Sequence, residues 1–164
     1  MRKLLFVIAG GGLALALAAP VVVGDSDQAF TASLNGYLEV PSISTTARGS
    51  FRAEVVGSTI KYRLVFRDLS TPSLFSHIHF ARPDVNGGIS AFLCGGGGKP
   101  ACPTTAGTVT GTIVAADVIG PTDKGILAGE FAELVRAMRN GATYVNVHSE
   151  AWPGGEIRGN IRRG

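Results

Sequence analysis

The strongest constraint on how this chain can fold is a period of two in its hydropathy. In "TIKYRLVFR", residues 59–67, Ile60, Tyr62, Leu64 and Phe66 fall on one side and Lys61, Arg63 and Arg67 on the other. An extended backbone turns successive side chains to opposite faces, so only one side of this segment can enter a core. "SFRAEVV", residues 50–56, alternates in the same way, and Gly57-Ser58 between the two runs has the make-up of a two-residue hairpin turn. These two strands are expected to pair antiparallel. Further short alternating runs at Phe30–Leu38, Phe75–Ala81, Ile89–Leu93, Thr108–Val114, Thr143–His148 and Glu156–Arg162 are separated by turn residues. The whole reads as an all-β domain, an antiparallel β-sandwich or Greek-key barrel of about eight strands. One segment departs from it. "GEFAELVRAMRNG" spaces Phe131, Leu134, Val135 and Met138 as a helix does and closes on Gly141, which predicts a single short helix across one end or edge of the sheet.

The first 24 residues do not share this pattern. "MRKLLFVIAGGGLALALAAPVVVG" has Arg2 and Lys3, then an apolar run, then small residues, the order of a secretory signal peptide. Ala16 and Ala18 stand in the A-x-A relation, which places cleavage between residues 18 and 29 and leaves a domain over 29–164. The alternative is an uncleaved anchor, since Leu4 to Val23 is just long enough to cross a hydrocarbon layer of about 30 Å. In that case the leader is the chain's contact with the membrane. Without Arg2 and Lys3, the 15 basic residues become 13 against 12 acidic ones, and the net charge falls from +3 to +1. No polybasic run remains, so nucleic acid is not an expected partner.

Cys94 and Cys102 bracket the glycine-rich stretch in "LCGGGGKPACP" and have no other possible partner. In an exported chain they are expected to form a disulfide that pins a flexible loop. The glycines lack the Gly-Lys-Ser/Thr ending of a phosphate loop.

Alternation also orients the only three histidines. In "FSHIHF", residues 75–80, Ile78 and Phe80 share one face, so His77 and His79 share the other, about 7 Å apart along a strand. In "YVNVHS", Val145 and Val147 take the core face and send Tyr144, Asn146 and His148 outward. If the two strands are neighbours, three imidazoles converge. Such a set suits copper or zinc, with an open fourth position, and Asp84 and Glu150 are candidates for a fourth ligand or an acceptor for a ring N–H. The competing reading is three solvent-facing histidines that titrate near neutrality. A nucleophilic site is not indicated. Ser76 and Ser149 adjoin histidines in sequence, but strand neighbours point to opposite faces.

Beyond these patterns, "LNGYLEVP" (34–41), "SHIHFARPDVNGGI" (76–89) and "YVNVHSEAWPGGEIRGNI" (144–161) carry a resemblance to the CHRD domain, the module named after chordin and also found in secreted bacterial proteins. The matching positions include Glu39, Pro41, Tyr144, Asn146, His148, Pro153, Gly155, Glu156, Arg158 and Gly159, while Asn160 stands where glutamine is usual. The resemblance implies a β-rich extracellular or periplasmic module with no established catalysis, whose partner is an unidentified extracytoplasmic protein or ligand. Trp152 in the "WPGGE" turn is placed either over the histidines or over the end of the domain.

A fainter resemblance, to the copper half-site of copper-zinc superoxide dismutase, rests on the H-x-H pair and the late His148. It implies a copper-dependent redox protein as the alternative function, with Arg158 or Arg82 as the cation that draws in an anion. The chain has no further histidine to bridge to zinc.

Overall fold

The computed structural model describes residues 29–164, so the leader and its cleavage site lie outside the described residues. Nine strands form one antiparallel sheet: β1 (Ala29–Asn35), β2 (Arg48–Val56), β3 (Thr59–Arg67), β4 (Ser73–Phe80), β5 (Gly88–Cys94), β6 (Gly107–Ile113), β7 (Thr143–Ser149), β8 (Ile157–Asn160) and β9 (Arg162–Arg163). Their spatial order is β5-β4-β7-β8-β1-β2-β3-β6, with β9 paired to β1. The two end strands curl toward each other. Tyr62 of β3 donates its hydroxyl across the interior to the Leu93 carbonyl of β5 at 2.7 Å. Lys99, just beyond β5, donates to the Thr112 carbonyl of β6 at 2.8 Å. The result is a nearly closed barrel rather than two separate sheets.

The alternating segments form the strands expected of them. β2 and β3 pair along their full length, from Arg48 opposite Arg67 to Val56 opposite Thr59. Gly57, with φ of 58°, takes the left-handed conformation such a two-residue turn requires. Phe51, Ile60, Leu64 and Phe66 point inward and join Phe30, Leu34, Ile78, Leu93, Ile113, Val145, Val147 and Ile157 in one core, each at most 1% exposed. The expected continuation of the first strand to Leu38 is not formed. The chain leaves the sheet at Asn35 and makes a 3-10 turn over Gly36–Leu38, closed by the Glu39 N–H on the Gly36 carbonyl. The last strand also divides in two, β8 pairing with β7 and β9 with β1.

The single helix, α1 (Phe131–Arg139), buries Leu134, Val135, Ala137 and Met138 against the barrel. Cys94 and Cys102 are joined by a disulfide that closes the glycine-rich loop. No helix among the described residues is long and apolar enough to cross a membrane.

β7 differs most from a half-exposed strand, because all seven of its residues are buried. Its inner face meets the core. Its outer face, with those of β4 and β8, is roofed by the chain at 36–45, the loop between β4 and β5, and the turn before β8.

Candidate functional site

β4 and β7 are neighbours, with Phe75 opposite His148, His77 opposite Asn146 and His79 opposite Tyr144. The pleat sends all six side chains to the roofed outer face, and the three imidazoles meet there. Ring centroids lie 5.1 Å apart for His77 and His79, 4.9 Å for His77 and His148, and 6.4 Å for His79 and His148. The pair on β4 is closer than the spacing of a flat strand. Two register irregularities, between Ser76 and His77 and between Ile78 and His79, interrupt the β4–β5 ladder at this point. One nitrogen from each ring lies within 4.8 Å of one from each of the others.

These are not solvent-facing histidines, since His77, His79 and His148 are only 2%, 7% and 6% exposed. Phe75 packs against His77 and His148 with centroid distances of 4.9 and 4.6 Å, and Phe92 meets His77 edge-on at 4.5 Å. Burial in this aromatic surround disfavours the imidazolium form. It lowers His77 to about 3, helped by repulsion from His148 and His79. It lowers His148 to about 4 against the opposing pull of the Pro153 carbonyl. Burial likewise holds His79 below the usual range. At neutral pH all three rings carry a lone pair.

Hydrogen bonding shows where two of those lone pairs point. His79 Nδ1 lies 3.0 Å from the Gly87 carbonyl and His148 Nδ1 lies 2.9 Å from the Pro153 carbonyl. A carbonyl only accepts, so both Nδ1 atoms carry the hydrogen and both Nε2 atoms carry the lone pair. Those Nε2 atoms, together with His77 Nδ1, are buried without a hydrogen-bond partner. Buried polar atoms are almost always partnered, so these three nitrogens, and Asn146 Oδ1 which is also bare on the same face, are the unsatisfied groups of the site.

Of the other residues singled out from sequence, Asp84 and Glu150 are exposed and outside the group. Asp84 sits in the β4–β5 loop with φ of 63°, and Glu150 begins the turn after β7. Backbone carbonyls of the roofing loops take the orienting role expected of those carboxylates, and no signal in the sequence marks them. Trp152 is 38% exposed in its turn, and the rings lining the group are Phe75, Phe92 and Tyr144 instead. Arg82 is exposed. Ser76 donates to the Asn146 carbonyl and Ser149 to Glu156, so neither is tied to a histidine.

The remaining motif residues build the walls. Arg158, fully buried, stacks its guanidinium 3.4 Å above the Tyr144 ring, and Tyr144 lies parallel to His79 at 4.6 Å. Its remaining contacts go to the Asn86 side chain at 3.2 Å and the Val85 carbonyl at 2.8 Å, which anchors the loop over the site. Glu39, following its turn, is also buried, and burial raises its carboxyl to about 7 although Arg158, the Val40 backbone and the Asn146 amide pull it down. The Val40–Pro41 peptide is cis. Gly155 has φ of 128°, and a Cβ there would come within 2.4 Å of Glu39 Oε1, so this position needs glycine for both conformation and space. Glu156 accepts from Ser149 Oγ at 2.5 Å, Thr45 Oγ1 at 2.8 Å and the Ser70 N–H at 3.0 Å. Burial pushes its carboxyl up, and these donors outweigh that push and hold it below the usual range. Glu156 and Arg158 therefore hold different partners, Glu156 at the end of β7 and in the loops at Thr45 and Ser70, Arg158 in the β4–β5 loop and over Tyr144.

Together these features define a small antiparallel β-barrel module whose outer face carries a roofed polar site. The CHRD domain model matches residues 30–161, nearly all of the described chain, and the protein belongs to that family. No curated protein and no solved structure matches it.

Proposed function

We propose that this protein is an exported CHRD module that binds one transition-metal ion, copper or zinc, through His77 Nδ1, His79 Nε2 and His148 Nε2, and that it acts as a binding module outside the cytoplasm. The observation that carries the reading is the convergence of three buried, neutral imidazoles, each with one buried nitrogen that makes no hydrogen bond. The chemistry of the donor set fits, because neutral imidazole is a preferred ligand of both ions and the Nδ1–H bonds to Gly87 and Pro153 supply the orienting contacts that metal-bound histidines use. Bonds of about 2.0 Å set the nitrogens of a three-coordinate site about 3.5 Å apart. One nitrogen of each ring already lies within 4.8 Å of one from each of the others. The disulfide fits an oxidising compartment, and the order of charged, apolar and small residues in 1–24 supports export by a cleaved leader.

The test is thermal unfolding of purified protein after chelation and again with added copper or zinc. An ion held at one hundred times its Kd raises stability by about 2.7 kcal/mol. That increment is expected in the native chain and absent from a His77→Gln/His148→Gln variant. Equal melting with and without metal, in both proteins, would refute the assignment.

A further inference from the structure

The outer face of the barrel on the other side, over β1, β2, β3 and β9, is open to solvent and strongly basic. Arg48, Arg52, Lys61, Arg63, Arg67 and Arg162 are all exposed there. Two carboxylates accompany them, Glu54 opposite Lys61 and Asp68 ion-paired with Arg67. The face therefore carries six positive against two negative charges, +4. The other described residues carry seven against eight, or −1. The net positive charge of the domain is thus gathered on one sheet face.

The register makes this face unusual. Arg52 stands directly opposite Arg63, and Arg48 directly opposite Arg67. Like charges in facing cross-strand positions destabilise a sheet unless something between them carries the opposite charge. Arg67 has Asp68, and Arg48 turns its guanidinium onto the Thr45 and Ala47 carbonyls. Arg63 reaches only the Thr108 hydroxyl at 3.4 Å, and Arg52 and Lys61 donate to no group among the described residues. The pairing also sets these residues in a line: Arg162 faces Thr31, Thr31 faces Arg52, Arg52 faces Arg63, and Arg63 faces Thr110. Steps of about 4.8 Å between strands make this a continuous row around that side of the barrel, with the Arg48/Arg67 pair in a second row about 13 Å along the strands.

We infer that this face is a docking surface for an extended acidic polysaccharide, whose sulfate or carboxylate groups lie on the row of Arg162, Arg52 and Arg63. Guanidinium forks pair with such groups in bidentate fashion. The hydroxyls of Thr31, Ser33, Ser50, Thr108 and Thr110, exposed between the arginines, match the hydroxyl-rich backbone of a sugar chain. The surroundings favour this occupant over other polyanions. Val56 is the one large apolar side chain prominently exposed on these four strands, which themselves present no aromatic ring on which bases could stack and no apolar wedge for a lipid surface; Tyr37, exposed in the turn after β1, lies outside them. The inference is independent of the histidine site.

The test is binding of the purified chain to heparin, a sulfated polysaccharide, by calorimetry over a series of salt concentrations. Arg52→Ser/Arg63→Ser is expected to weaken binding at least tenfold and to flatten the dependence of log K on log salt by one to two units. Because those substitutions relieve repulsion between exposed side chains, Tm should not fall, and circular dichroism reports that the fold is kept. Lys124→Ser/Arg136→Ser removes the same charge elsewhere and should bind heparin as the native chain does. Three results would overturn the inference: unchanged binding in the Arg52/Arg63 variant, equal losses in both variants, or tighter binding of this face to anionic phospholipid vesicles or single-stranded DNA than to heparin.

Discussion

Replacing His148 by Gln in the metal-free protein should change the pH dependence of stability in a direction that a solvent-facing histidine cannot produce. His148 is 6% exposed, and its burial lowers its pKa to about 4 from an ordinary value of 6.5. Between these two values the unfolded chain binds a proton that the folded chain refuses, so the native state loses stability as pH falls below about 6.5. pH 5 lies 1.5 units below the ordinary value of 6.5 at which the unfolded group titrates. One pKa unit is worth about 1.36 kcal/mol, so the loss relative to neutral pH is about 2 kcal/mol. Glu39 works in the opposite sense. Its carboxyl is raised to about 7 from 4.5, so the folded state takes up a proton first and gains stability as pH falls through 7. The Glu39 contribution is common to both chains and cancels in their difference. Urea unfolding of chelator-treated native and His148→Gln proteins at pH 7 and pH 5 should therefore show the stability difference moving by about 2 kcal/mol in favour of the variant at the lower pH. A difference that stays the same at both pH values would mean that His148 titrates freely, and the buried cage of neutral imidazoles would be wrong.

Three other substitutions test the frame around the site. Glu156→Gln leaves the buried donors of Ser149, Thr45 and Ser70 facing an amide, and should cost about 2 to 4 kcal/mol in urea unfolding at pH 7. That cost should shrink as pH falls through the depressed folded pKa of Glu156, where the native carboxyl itself takes up a proton. Gly155→Ala combines a positive φ with a Cβ driven into Glu39 Oε1, and is expected to lower stability by about 2 kcal/mol or more and to weaken metal binding with it. Joint replacement of Cys94 and Cys102 by Ser opens a short loop and should cost about 2 to 3 kcal/mol in the same assay while leaving metal stoichiometry unchanged.

The pattern of these effects reflects what a sequence of this kind displays and what it conceals. The core face of β3, the hairpin at Gly57-Ser58 and the turn to helix at Phe131 were legible, because each follows from a local period or a turn residue. The outward direction of His77, His79 and His148 was legible for the same reason. Their burial was not. Alternation divides a strand into two faces, and it does not say that the second face will be roofed by the chain at 36–45 and the β4–β5 loop. For that reason Asp84 and Glu150, close to the histidines in sequence, stand away from them in space, whereas Gly87 and Pro153 reach them through backbone carbonyls that any residue type possesses. Glu39 and Arg158 belong to the same class. Their place beside Asn146 and Tyr144 depends on contacts between distant segments, which no local pattern encodes. The line of arginines across β2 and β3 was hidden in another way. Each strand alone shows an ordinary polar face, and only the register sets Arg52 against Arg63.

The most direct measurement is X-ray absorption at the metal edge of the protein loaded with one equivalent of copper or zinc. Three imidazole nitrogens at about 2.0 Å, with the outer-shell scattering of histidine rings, are expected for the native chain, and one fewer ring for His148→Gln. A shell dominated by oxygen ligands, or a spectrum that His148→Gln leaves unchanged, would contradict the assignment of His77, His79 and His148 as a single metal site.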